Sequence, residues 1–181
     1  MFGYFIRRAL DAFSARYDYD VGYMRAIHAA SPRAFMRFAR VAALANHREA
    51  APKEAWYAAK LVGALAEDCG PCTQLVVNMA REAKIDHTQI AAVLRRDADA
   101  MTADTALGFR FAEAVAHGLS GADDAREAVR ALWGENGLID LTFALQIGRM
   151  FPMVKNGLGF ARECRRVHVG DHPVDVVRRA A

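Results

Sequence analysis

Apolar residues recur every three to four positions along most of the chain, the spacing that gathers them on one side of an α-helix. Phe2, Phe5, Ile6, Ala9, Leu10 and Phe13 make the first stripe, which reads as core or subunit packing. Tyr17-Asp18-Tyr19-Asp20 interrupts it, and a short helix is expected over 21–30. Ser31-Pro32 is an N-cap followed by proline at the first helical position, opening a helix to about Ala45. Ala51-Pro52 repeats the device. Glu54 then complements the dipole of a helix running through Trp56, Tyr57, Leu61, Val62 and Leu65. Pro71 suits the first turn of the next helix, which reaches about Lys84, and Asp86-His87-Thr88-Gln89 has the spacing of a capping box before a helix over 90–96. After a polar connection from Asp97, a helix runs from about Ala103 to a glycine stop at Gly118. Another spans 125–133, ended by Gly134 to Gly137. Leu138 to about Arg166 reads as a long apolar helix that Pro152 must kink or split. The tail over 167–181 is rich in valine and suits an extended segment that could lie against a neighbouring subunit. Sustained alternation occurs nowhere else. The pattern predicts an all-α, single-domain bundle of about eight helices over residues 1–181, with no linker, internal repeat or low-complexity run.

Composition narrows the classes. A chain of 181 residues can bury roughly 70% of its unfolded surface, so its core needs no disulfide. Hydrophobic residues make up 54%, yet no apolar run approaches the ~18 residues of a membrane span, which predicts a soluble protein with no membrane partner. The net charge of +3 comes from 24 basic and 21 acidic residues interspersed along the chain, without the clustered stripe that nucleic acid requires. The first ten residues lack the layout of a signal peptide, and three cysteines suit a reducing cytosol, so a cytoplasmic location is expected.

The sharpest chemical signal is Glu67-Asp-Cys69-Gly-Pro-Cys72-Thr-Gln-Leu-Val-Val-Asn78, two cysteines at the mouth of an apolar helix. A helix N-terminus stabilises a thiolate, the reactive species, through its unpaired N–H groups and the positive end of the dipole. Cys69 sits at the N-cap and Cys72 in the first turn, and this spacing lets a mixed disulfide be resolved internally. A thioredoxin would place the motif after a buried strand, whereas here it follows a helix. A zinc site would need two more ligands, and Cys164, His87, His117, His168 and His172 are isolated. Covalent haem attachment would need histidine where Thr73 stands. Simple burial as small apolar side chains is the remaining alternative. No His-x-x-x-His pair and no Gly-x-Ser-x-Gly setting occurs, and neither a metal nor an organic cofactor is expected.

An apolar helix feeding this turn, then Thr73-Gln-Leu-Val-Val-Asn-Met-Ala-Arg-Glu-Ala-Lys-Ile-Asp86 and a second capped helix, resembles the alkylhydroperoxidase D-like, carboxymuconolactone decarboxylase superfamily over about Pro52 to Arg96. The resemblance implies a helical homo-oligomer in which the cysteine pair cycles between dithiol and disulfide, reducing a peroxide or disulfide at the expense of a thiol reductant. Redox members carry glutamate at the position of Tyr57 and histidine at that of Val76, and the relay makes the second cysteine the nucleophile; the dipole instead favours Cys69. Tyrosine can hydrogen-bond but valine cannot move a proton. Glu54 and Glu67 are candidate substitutes, though such charges also serve as solvated helix ends, and Lys60 would lower a neighbouring thiol pKa if it turned inward, where helical lysines commonly face solvent. The expected function is a thiol-disulfide oxidoreductase or peroxidase acting through Cys69 and Cys72. The alternative is a relay-less member serving as a binding, assembly or redox-sensing module.

Overall fold

The computed structural model of the chain describes residues 2–160 and 166–177. They wind into helices α1 (Phe2–Tyr17), α2 (Gly22–Ala30), α3 (Pro32–Val41), α4 (Lys53–Ala66), α5 (Gly70–Glu82), α6 (His87–Arg95), α7 (Ala103–Ala116) and α8 (Ala122–Gly157), followed by a hairpin of strands β1 (Arg166–Val169) and β2 (His172–Asp175). The all-α class and the eight helices match the apolar spacing. No helix among the described residues is long and apolar enough to cross a membrane.

α4 is the axis. Nine of the ten positions from Ala55 to Ala64 are buried, polar Lys60 among them and Tyr57 the exception, and α5, α6, α7 and α8 pack around it. Small residues make the close approach possible. A Cβ on Gly63 would overlap the Leu145 carbonyl oxygen, one on Gly148 the Lys60 carbonyl oxygen, and one on Gly108 the backbone of Ala55. Ile90, Val93, Leu107, Phe111, Leu141 and Leu145 complete this central cluster. A second cluster lies beside it: Leu10, Tyr19, Val21, Tyr23 and Phe35 from the α1–α3 segment close over Cys69 and Cys72.

The caps behave as their chemistry requires. Ser31 accepts from the Ala34 amide ahead of Pro32, and Asp86 accepts from the amide of Thr88. Gln89 does not complete a capping box; its side chain instead donates to the Ala100 carbonyl and accepts from the Thr102 amide, tying α6 to the turn before α7. Asp140, fully buried on α8, accepts from the amides of Glu49, Ala50 and Ala51 at 2.7–3.0 Å and so fixes the loop that delivers the chain to α4.

Two expectations change. Pro152 neither splits nor kinks the backbone out of helical geometry; α8 runs through it to Gly157, well short of Arg166, so the missing proline hydrogen bond falls near the helix end. The break lies at Gly134 (φ 69°, ψ −170°), the expected end of the 125–133 helix, in a conformation that suits glycine alone, and residues 122–133 and 135–157 are separate helical runs. The tail is a hairpin laid on its own chain rather than a lone extended segment: Val167, Val169 and Val174 enter the central cluster, β1 packs on α5 and β2 on α6. Cys164 lies outside the described residues.

Candidate functional site

Cys69 and Cys72 are joined by a disulfide at the start of α5. The turn is built to present them. Asp68 takes a left-handed conformation (φ 50°) that ends the approach from α4, Cys69 occupies the N-cap, and Gly70-Pro71 form the first turn, which needs no proline N–H. The Cys69 carbonyl accepts from the amide of Thr73 at 2.9 Å and from its hydroxyl at 3.0 Å. The Cys69 sulfur makes no cap hydrogen bond, being committed to Cys72 instead. Both cysteines are 4% exposed.

The two sulfurs have different surroundings. Cys69 lines a cavity of about 200 Å³ together with Leu65, Asp68, Thr73, Arg96, His117 and Val177, two residues past β2. Arg96 pairs with Glu113 and donates to the Val177 carbonyl at 2.9 Å, and His117 stands 3.9 Å from the same carboxylate. Both cysteines belong to the second cluster, where the Tyr19 hydroxyl lies 3.6 Å from the Cys72 sulfur. Burial raises the Tyr19 pKa, so this hydroxyl keeps its proton. The Tyr23 hydroxyl, also held protonated by burial, is near enough to Tyr19 to perturb it yet falls outside hydrogen-bond geometry. Lys155 of α8, 1% exposed, sets its ammonium 4.8 Å from the Tyr19 ring centre and 5.9 Å from that of Tyr23.

The other residues singled out by spacing go elsewhere. Glu67, at the end of α4, accepts from Arg149 at 2.7 Å. Glu54 is half-buried in the first turn of α4. Tyr57 packs on the central cluster, edge-on to Trp56, with its pKa raised by burial and by Glu82; Val76 is buried in the same cluster. Lys60 does turn inward. It donates to the Ala45 carbonyl at 2.6 Å and lies 3.6 Å from the Trp56 ring centre, so its charge serves those groups. Sequence reasoning passed over Tyr19, whose hydroxyl lies against Cys72, and Lys155, which lies over the Tyr19 ring. Tyr19 was visible only as part of a pattern break. Lys155 continues the buried stripe of Leu141, Ala144, Leu145, Gly148 and Pro152, a register that marks it as inward-facing.

Among the described residues no three of His, Cys, Asp and Glu converge to hold a metal ion. What the arrangement can do chemically is thiol–disulfide exchange, with one cysteine lining a cavity and the sulfur of the other beside a protonated hydroxyl. Comparisons with protein-family models, with curated proteins and with solved structures give no match for this chain.

Proposed function

We propose that the protein is a thiol-disulfide oxidoreductase that reduces a peroxide or a disulfide through Cys69 and Cys72, regenerated by a thiol reductant, and that it works as a homo-oligomer of the alkylhydroperoxidase D-like superfamily. The carrying observation is a disulfide between residues three apart at a helix start, one of whose cysteines lines a cavity. A pair spaced in this way can open and close without any displacement of the helices that carry it.

Titration of the purified protein against glutathione, with free thiols counted by mass after alkylation in wild type, Cys69→Ser and Cys72→Ser, tests the reading. A reversible dithiol–disulfide equilibrium at roughly −180 to −270 mV is expected, and peroxide turnover is then the next assay. A second reading has its own support. Tyr57 and Val76, at the positions of the relay, are packed in the apolar cluster, and both cysteines are nearly shielded from solvent, which favours a redox-sensing or assembly module. Thiols that stay reduced and alkylate slowly in the folded protein would decide for that module.

A further inference from the structure

We propose that Cys69 is the sulfur that exchanges with substrate and that Tyr19, supported by Lys155, holds Cys72 as the internal leaving thiolate. This assignment rests on the oxidoreductase reading and gives the two sulfurs unequal roles, in the order opposite to the relay-driven one.

Access separates them first. The cavity beside the disulfide is lined by Cys69, with Asp68, Thr73, Arg96 and His117 about it, and Cys72 does not line it; both cysteines pack under Tyr19, Val21, Tyr23 and Phe35, and the Tyr19 hydroxyl lies against the Cys72 sulfur. An incoming thiolate therefore meets Cys69. The S–S bond breaks as the new bond forms, and the electron pair of the old bond leaves on Cys72. Thiol exchange is faster when the departing sulfur is the better-stabilised anion. Tyr19 supplies that stabilisation. Its hydroxyl, kept protonated by burial, can turn its O–H toward the sulfur 3.6 Å away, and the Lys155 ammonium 4.8 Å from the Tyr19 ring adds positive charge behind it. Among the described residues, the charged and titratable groups that act on Tyr19 include Tyr23 of α2, Asp20 just before it and Lys155 of α8.

One substrate thiolate gives the mixed disulfide on Cys69 and the Cys72 thiolate. A second thiolate attacks the substrate sulfur of that mixed disulfide and releases Cys69. Two thiols are oxidised to one disulfide, the protein pair is reduced by two electrons, and the two thiol protons end on Cys69 and Cys72. In the reverse direction the Cys69 thiolate attacks a disulfide substrate and Cys72 resolves the adduct. Tyr19 touches a reacting atom and is a catalytic residue; Lys155 acts through it and is a positioning residue.

The test uses full-length protein carrying Cys164→Ser, with Cys69→Ser or Cys72→Ser added, reduced, freed of reductant and exposed to oxidised glutathione. Intact mass should show the Cys72→Ser variant, which keeps Cys69, forming the mixed disulfide about tenfold faster or more than the Cys69→Ser variant. Equal rates, or faster reaction at Cys72, would overturn the assignment. In the Cys69→Ser background, the ultraviolet thiolate titration of Cys72 should move upward by about half a pH unit or more on adding Tyr19→Phe, and likewise on adding Lys155→Met. An unmoved midpoint in the Tyr19→Phe protein removes Tyr19 from this role. That variant keeps the ring and so stands as the test even if Lys155→Met loses its helical circular dichroism. Failure of the wild-type pair to equilibrate with glutathione removes the oxidoreductase reading itself; normal cycling with exchange at Cys72 removes only the present assignment.

Discussion

Lys60 keeps its ammonium group inside the protein, 4% exposed, and burial pushes its pKa down to about 7. The Ala45 carbonyl and the Trp56 ring favour the charged form and work against that drop, so burial sets an upper bound on the effect. The unfolded lysine keeps an ordinary pKa near 10.5. Between about 7 and that value the unfolded chain binds more protons than the folded one, and stability rises with pH by at most about 1.4 kcal/mol per unit. Tyr19, Tyr23 and Tyr57, whose pKa values are raised, affect stability only at higher pH and leave the window clear. Urea midpoints measured from pH 6 to pH 9 should therefore climb, and Lys60→Met should flatten that climb; an identical slope in the variant would exclude Lys60 as its source. The inward turn was not legible in the sequence for a physical reason. Amphipathic reasoning needs a polar face, and α4 has none between Ala58 and Ala64. The site residues divide along a similar line. Cys69 and Cys72 share one turn and announce themselves, whereas Tyr19 stands 53 residues from Cys72 with no spacing rule to connect them.

At the scale of elements, helix starts were the most readable features because their signals are local: Ser31 with Pro32, Asp86 with Thr88, Gly70 with Pro71. How helices cross was not readable, since nothing in the neighbourhood of Gly63 or Gly148 states that the two will meet. Their backbones approach so closely that Gly63 Cα and a Cβ on Gly148 would lie 3.0 Å apart. Gly63→Ala and Gly148→Ala should each cost about 2 kcal/mol or more, since backbone rather than a movable side chain stands in the way. Gly157→Ala is the control: nothing lies within 4 Å of the added methyl, and the change should be neutral or stabilise by up to about 1 kcal/mol. Denaturant melts of the three variants decide the point, and equal costs at all sites would refute the close crossing. Pro152 and Gly134 teach the same lesson in reverse. Each looked capable of ending a helix, but only Gly134 adopts a backbone conformation that does.

For the molecule as a whole, the division into two clusters matters most. The central one is built by α4–α8 and the hairpin, and the disulfide lies in the other, beneath α1–α3. Arg16 and Tyr17 reach across to Glu82 at the far end of α5, and the Asn78 side chain donates to the Tyr17 carbonyl at 3.1 Å, so α1 is fastened to the helix that bears the cysteines. The cross-link itself closes a loop of only a few residues, with a sequence separation of 3. A loop that short constrains the unfolded chain by about 2 kcal/mol in the chain-entropy account. The reduced protein should accordingly melt within about 8 °C of the oxidised one and keep the same helical circular dichroism. Collapse of the helical signal on reduction would show that the bond braces the bundle. A bond that joins near neighbours in one turn holds no distant parts together. Under the proposed function it would be emptied and refilled in place, making residues 69–72 a two-electron reservoir on a scaffold expected to be indifferent to its level.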